Sequence, residues 1–205
     1  MLSDKGFDLW ADGYDESVGL CEEANEYPFA GYKRVLGTIY DRIRCGDGKW
    51  VLDVGIGTGV LAKRLYDAGY HITGVDFSGK MLEIAGNSMS AARLIQHDFS
   101  QGLPQTLKEE TFDFITCTYA IHHLDDGQKI ELIKALLAIL APGGTLYIGD
   151  VAFETKGELA QCRAACGEDW DEDEIYPVAE ILQGVFPDMQ FEKISFCAGI
   201  MTFTK

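Results

Sequence analysis

Apolar positions along the chain follow two rhythms that take turns. From Phe29 to Ile43 they recur three or four apart (Phe29, Tyr32, Val35, Leu36, Ile39, Tyr40, Ile43), the stripe of an amphipathic helix from Pro28 to about Arg44, which Cys45-Gly46-Asp47-Gly48 stops and turns. Trp50 to Val54 is instead a short run, apolar except for Asp53, of the kind that makes a buried strand. A helix from Thr58 to about Ala68 follows, with Val60, Leu61, Leu65 and Ala68 on one face. The alternation continues with a strand at His71 to Val75 ending on Asp76, and a short helix through Met81, Leu82 and Ile84 to Ala85 for which Ser78 is the N-cap. Strands at Ala92 to Gln96 and Phe112 to Thr116 flank a loop or short helix at Gln101 to Glu110. A helix from Asp126 to Leu140 is stopped by Pro142-Gly143-Gly144, and a fifth strand runs from Thr145 to Val151. Helices are expected at Glu158 to Cys166 and Pro177 to Phe186. The end reads as two strands, Phe191 to Phe196 and Ile200 to Thr204, joined tightly around Ala198-Gly199.

Regular strand–helix alternation predicts an α/β fold: a doubly wound, mostly parallel sheet of seven strands with helices on both faces. The last two strands are too close in sequence for a crossover, so the C-terminal strand is expected to be antiparallel. Residues 1–48 read as an N-terminal cap and helix over the active site, and 49–205 as the core with an insertion at about 153–176, one domain overall.

Charge narrows the function. A formal net charge of −16 over 205 residues repels phosphate backbones and anionic membranes, and no Lys/Arg cluster offers a local exception, so neither nucleic acid nor membrane is expected as a partner. A small-molecule substrate, or a cationic cofactor, suits such a field, on a monomer or homodimer. The six cysteines show no CxxC pair or metal-ligand rhythm and read as small packing residues, so no metal is expected. Cys162 and Cys166, four apart, would share one face of a helix. The first ten residues carry acids without an apolar core, and no apolar run approaches the ~20 residues of a membrane span. A cytoplasmic, reduced setting is expected.

The candidate chemistry sits where the first strand meets its helix. Gly55, Gly57 and Gly59 stand at alternate positions between them, a turn in which a ligand presses on bare backbone before the first helical amides. A nicotinamide or flavin site would place a third glycine three residues after the second, but that position is Val60. Asp53, inside the strand end, is ill suited to a pyrophosphate and well suited to a sulfonium and an ammonium.

The stretch D-V-G-I-G-T-G at 53–59 resembles the first motif of the Rossmann-like, class I S-adenosylmethionine-dependent methyltransferases. The likeness continues in I-T-G-V-D-F-S to Asp76, H-D-F at 97–99, T-F-D-F-I-T-C-T-Y-A-I-H-H-L from 111 and L-A-P-G-G-T-L-Y-I from 140, covering about residues 49–151. It implies S-adenosylmethionine as cofactor, held by Asp53, Gly55, Gly57, Gly59, Asp76, Phe77, Asp98, Phe99, Cys117 and Thr118. Asp76, 21 residues after Gly55, would meet the ribose hydroxyls, and the glycines the methionine portion. Asp53 would hold its ammonium, Asp98 the adenine amino group with Phe99 beside it, and Phe77 would pack on the adenine. Cys117 and Thr118 would line the methionine end mainly through their backbone.

For catalysis, methyl transfer from a sulfonium asks chiefly for positioning and desolvation. His122 and His123, just past the fourth strand, are the candidate bases where the acceptor must lose a proton, with packing against the cofactor as the plainer role. Cys117-Thr118-Tyr119-Ala120 departs from the Asn/Asp-Pro-Pro-Tyr tetrapeptide of nucleobase and glutamine methylating enzymes, which argues against those acceptors. Trp10 and Tyr14-Asp15 resemble the aromatic lid segment of small-molecule methyltransferases, making Tyr14 a third candidate catalytic residue. The run Glu168 to Glu174, six acids around Trp170, reads as a solvated loop leading into a helix N-terminus, with metal or cationic-substrate binding as the alternative. The expected function is methyl transfer to a small molecule, with a nicotinamide-dependent oxidoreductase and a non-catalytic S-adenosylmethionine-binding protein as the alternatives.

Overall fold

Two apolar cores, one on each face of a central sheet, organise the chain. The computed structural model describes residues 26–205. Helix α1 (Tyr32–Cys45) precedes strand β1 (Trp50–Val54), and α2 (Val60–Asp67), β2 (His71–Asp76), α3 (Gly79–Ser88) and β3 (Arg93–Gln96) follow. The second half holds β4 (Phe112–Thr118), α4 (Asp126–Ala138), β5 (Leu140–Val151), α5 (Lys156–Cys166), α6 (Ala179–Gln183), β6 (Gln190–Lys193) and β7 (Ala198–Thr204).

The seven strands lie in the order β3-β2-β1-β4-β5-β7-β6. The first five run parallel, and β7 is antiparallel to both β5 and β6. Side chains alternate between the faces, as the pleat requires. Val51 and Tyr147 join the core formed with α1, α2 and α3, while Leu52, Val54, Leu146 and Ile148 join the opposite core with α4 and α6. Central strands are covered on both faces, which is why β1 (Val51, Leu52, Val54) and the second half of β5 (Leu146, Tyr147, Ile148) place apolar residues at adjacent positions and do not alternate them with polar ones. The doubly wound, mostly parallel seven-stranded sheet expected from the alternation is therefore the fold.

Boundaries differ from the periodic reading by a residue or two at several elements, and more where α4 meets β5, at the C-terminal connection and around α6. Helix α4 ends at Ala138, not Leu140, because Leu140 already pairs with Phe112 on β4. Pro142-Gly143-Gly144 is therefore a bulge inside β5, where the β4–β5 register shifts, and does not precede the strand. Gly143 adopts φ +77°, and its amide donates to the Lys205 carbonyl at 3.0 Å. At the C-terminus the tight connection is 194–197, not Ala198-Gly199. Ser195 Oγ accepts the amides of Cys197 and Ala198 and donates to the Ala30 carbonyl at 2.6 Å. Gly199 is a strand residue whose absent side chain makes room for the Phe191 ring, 2.4 Å from where a Cβ would lie. The helix expected from Pro177 to Phe186 is confined to α6. Cys162 and Cys166 do share a face of α5, their Sγ atoms 3.9 Å apart. Among the described residues no helix is long and apolar enough to cross a membrane.

Gly149, near the end of β5, lets α1 lie directly on the sheet: a Cβ there would stand 2.4 Å from Val35 Cγ1 and 2.9 Å from Ile39 Cδ1. Gly149→Ala should destabilise the protein by about 1–3 kcal/mol through overpacking, read as a lower urea midpoint. An unchanged midpoint would show that α1 shifts freely.

Candidate active site

A cavity of about 450 Å³ opens at the carboxyl ends of β1, β2 and β4. Between β1 and β4 the strand order reverses, the place where open α/β sheets take their ligands. The glycine turn forms one wall. Gly55 and Ile56 donate to the Val75 carbonyl at 2.8 and 3.1 Å, which ties the turn to β2. Gly57 has φ +54° and nothing within 4 Å of a notional Cβ, so its backbone is bare to the cavity. Gly59, φ +86°, does a different job: a Cβ there would meet Met89 Cε at 2.8 Å, so it permits close packing of the turn on α3. As N-cap of α2 it supplies no side-chain hydrogen bond, which leaves the first amides of that helix uncapped by a side chain.

Asp76, at the end of β2, is nearly buried and braces the turn. Its Oδ2 accepts the Gly57 amide at 2.8 Å and its Oδ1 the Ser78 amide at 2.9 Å. Burial raises its pKa, opposed by those two hydrogen bonds. Each oxygen keeps a lone pair for a ligand hydroxyl. Asp53, also on the cavity wall, is 2% exposed and accepts a hydrogen bond from Thr116 Oγ1 at 2.8 Å. Burial, with a contribution from the charge of Asp76, pushes its pKa up to about 7, against the pull of Thr116. A buried carboxylate of this kind calls for a cation.

Of the residues expected to hold the cofactor, Asp53, Gly55, Gly57, Asp76, Phe77, Phe99 and Thr118 line this one cavity. Gly59, Asp98 and Cys117 are not part of its wall. Asp98 is exposed and caps a short 3-10 turn by accepting the Ser100 amide at 2.9 Å. Cys117 is wholly buried in the core on the α4 face, where burial pushes its thiol pKa well up. Among the candidate catalytic residues, His122 and His123 reach the cavity, and Tyr14, with Trp10, lies outside the described residues.

Two acids outside the expected site, one behind the cavity wall and one on it, hold the histidines. Asp150, fully buried near the end of β5, accepts from Ile121 N at 3.1 Å and Val151 N at 2.7 Å, and meets His122 Nδ1 at 2.7 Å. Its sequence signal, an acid inside an apolar strand, is the same as that of Asp53. Burial is the largest single influence and opposes charging His122, but Asp150 and Glu174 together outweigh it and raise the imidazole pKa. Glu174 leaves the acidic run and turns inward: its Oε2 lies 3.3 Å from His122 Nε2 and 3.1 Å from His123 Nδ1. The run is thus not a purely solvated loop. Ile175 N holds the turn by donating to the His122 carbonyl at 2.9 Å.

Aromatic rings pack beside this cluster, the Tyr176 ring 5.9 Å from that of His122. Tyr27 stacks on Trp170 with centroids 5.2 Å apart and planes 12° from parallel, and Trp170 meets the edge of Tyr176 at 5.0 Å. The Tyr27 and Tyr176 hydroxyls bond to each other, and the Asp171 amide donates to the Tyr27 hydroxyl at 3.2 Å. Trp170 is therefore a buried support for two lining tyrosines. Tyr119 stands at φ +50° with its ring 4.8 Å from Tyr32.

This sheet order, with its antiparallel final strand and a glycine turn lined by buried acids, defines a nucleotide-cofactor methyltransferase fold and not a dehydrogenase. A family described as methyltransferase domain matches residues 51–144. An uncharacterized methyltransferase of Geobacillus kaustophilus (strain HTA426) is 35% identical over 188 residues, covering 88% of this chain and 84% of its own length. Another, from Geobacillus thermodenitrificans (strain NG80-2), is 35% identical over 198 residues, with coverages of 93% and 88%. Among solved structures, the DhpI–SAM–HEP complex superimposes with a TM-score of 0.69 at 18% identity, covering 96% of this chain and 92% of that chain. Magnesium protoporphyrin IX methyltransferase from Synechocystis PCC 6803 with bound S-adenosylhomocysteine does so with 0.68 at 17%, with coverages of 86% and 84%. The chain belongs to the class I S-adenosylmethionine-dependent methyltransferases. It is an enzyme of that class, and its cofactor is S-adenosylmethionine. The donor set fits: buried acids for a cationic ligand, bare glycine backbone, and apolar rings beside them.

Asp53 also carries a stability signature. Its raised pKa means that the folded chain holds a proton the unfolded chain has released between the ordinary 3.8 and about 7. Its contribution is full below that window and is lost as pH rises through it. Relative to Asp53→Asn, the ligand-free wild type should lose stability as pH rises to about 7 and then level off. Parallel denaturation curves across that range would contradict the burial of this charge.

Proposed function

We propose that the enzyme transfers the methyl group to a small-molecule acceptor bound between the cofactor and the aromatic roof. The observation that carries this reading is the enclosure of the cavity by Tyr27 and Tyr176, backed by Trp170, over a floor of strand ends. A space of about 450 Å³ shared with a cofactor leaves room for a small acceptor, not for a folded macromolecule's surface. The net charge of −16 supports the same reading by disfavouring nucleic acid.

S-adenosylmethionine supplies an electrophilic methyl group on a sulfonium. The protein's part is binding, orientation and exclusion of water. Asp76 would hold the ribose hydroxyls while keeping Gly57 in place, and Asp53 would hold the ammonium. Phe77 and Phe99 would flank the adenine. Gly55 and Gly57 would admit the methionine portion, with Thr118 at its end. The acceptor would then face Tyr119, His122, His123 and Glu174. Asp53, Asp76, Asp169, Asp171 and Glu174 all line the cavity, so an acceptor without negative charge is favoured unless a further cation accompanies it.

Asp76→Ala should weaken S-adenosylhomocysteine binding by ~1.5–3 kcal/mol while the fold persists. Calorimetry on the folded variant measures this, and an unchanged affinity would displace the cofactor from this cavity. For the acceptor, the enzyme is incubated with isotopically methyl-labelled cofactor and a cell extract separated by size. Label is expected in the small-molecule fraction. Label recovered only in protein or RNA would overturn the small-molecule reading.

A further inference from the structure

We propose that His122, His123 and Glu174 form a binding site for a divalent first-row transition metal ion at the edge of the cofactor cavity. Three ligand atoms, His122 Nε2, His123 Nδ1 and a Glu174 carboxylate oxygen, lie within 4.8 Å of one another. The two distances to Glu174 Oε2 are 3.3 and 3.1 Å. Ligands about 2.0–2.2 Å from one ion in tetrahedral or octahedral geometry stand roughly 2.8–3.6 Å apart, so both fall within the spacing a shared metal sets.

The two contacts are at ion-pair distance, but neither has the geometry of a well-formed hydrogen bond: among the described residues Glu174 Oε2 is a buried oxygen that accepts none. A shared cation would take up the lone pairs that the three groups turn toward one another. Two imidazoles and one carboxylate are also the donor set that suits Zn²⁺, Fe²⁺ and their neighbours, not Ca²⁺ or Mg²⁺.

The surroundings are built to aim the ligands. Asp150, itself fully buried and fixed by two backbone amides, holds His122 through Nδ1 at 2.7 Å. That leaves Nε2 as the atom turned to Glu174, the carboxylate–histidine–metal arrangement. The 3-10 turn Ile121–His123 sets the neighbouring rings 4.2 Å apart and 63° from parallel. Ile175 N, bonded to the His122 carbonyl, registers the loop carrying Glu174 against that turn. All three ligands line the cavity, so positions left open on the ion face the space assigned to the acceptor. There the ion would add the positive charge that a carboxylate-lined cavity lacks, and would take an acceptor's hydroxyl or thiol as a ligand. This last role rests on the proposed small-molecule function, whereas the binding site itself does not.

The test uses the intact protein, stripped with a chelator and titrated with Zn²⁺, Mn²⁺ and Co²⁺ by calorimetry. The Co²⁺ complex is also followed by its visible ligand-field bands. One equivalent of at least one ion is expected to bind, with bands changed by Glu174→Gln and affinity lowered by ten-fold or more in that variant. S-adenosylhomocysteine binding confirms that the variant is folded. Should it fail that check, His123→Ala replaces it, with the same loss expected. The proposal is overturned by the absence of saturable binding of all three ions, or by binding that folded Glu174→Gln leaves as tight as before. Metal binding without small-molecule methylation would leave the site standing and remove only the acceptor role.

Discussion

Buried negative charge at the sheet's carboxyl edge is the constraint on which the rest of the structure turns. Asp53, Asp76 and Asp150 lie at the ends of three parallel strands, each almost wholly out of water. A carboxylate removed from solvent must find donors, a proton or a cation. Each has a different solution. Asp76 takes two backbone amides and so shapes the glycine turn. Asp150 takes two amides and an imidazole and so fixes the turn after β4. Asp53 has one hydroxyl donor, and burial drives its pKa towards neutrality. A pocket edged in this way is prepared for a cationic ligand before one arrives.

Most of the fold was legible because each apolar rhythm reports how many faces of an element are covered. The central strands, buried twice, gave short apolar runs interrupted chiefly by small residues and by the acids that edge the cavity, and α1 gave a clean stripe. Periodicity failed where an element carried both signals. Leu140 completes the helical pattern of α4 yet pairs with Phe112, and the glycines at 143–144 and 199 looked like turns, although Gly143 serves a bulge at φ +77° and Gly144 and Gly199 make room for close neighbours within the sheet. In those places strand pairing overrode local pattern.

The site was legible where one local motif made it. Gly55, Gly57 and Asp76 belong to one turn and the strand beside it, and they meet as the motif implies. Asp98 and Cys117 sit at the right strand ends but spend their side chains elsewhere, one on a cap and one in the core. Glu174 and Tyr176 were hidden for the opposite reason. They lie about fifty residues beyond the histidines they approach, in a segment whose acidity suggests solvent. No spacing rule links them, since only the fold of the segment after α5 brings them in.

The Ser195 hydroxyl, bonded to the Ala30 carbonyl, has a consequence for how the molecule is made. The backbone around residues 27–30 is held by groups from 170–176 and 195–197, which follow all five parallel strands in the chain. Synthesis delivers this early segment well before those partners. Strands β1 to β5 can assemble while the aromatic roof still lacks Trp170 and Tyr176, so the cavity stays open until the segments after β5 have emerged. Early-made and late-made stretches thus meet across the pocket, and its wall is finished after the sheet that carries it.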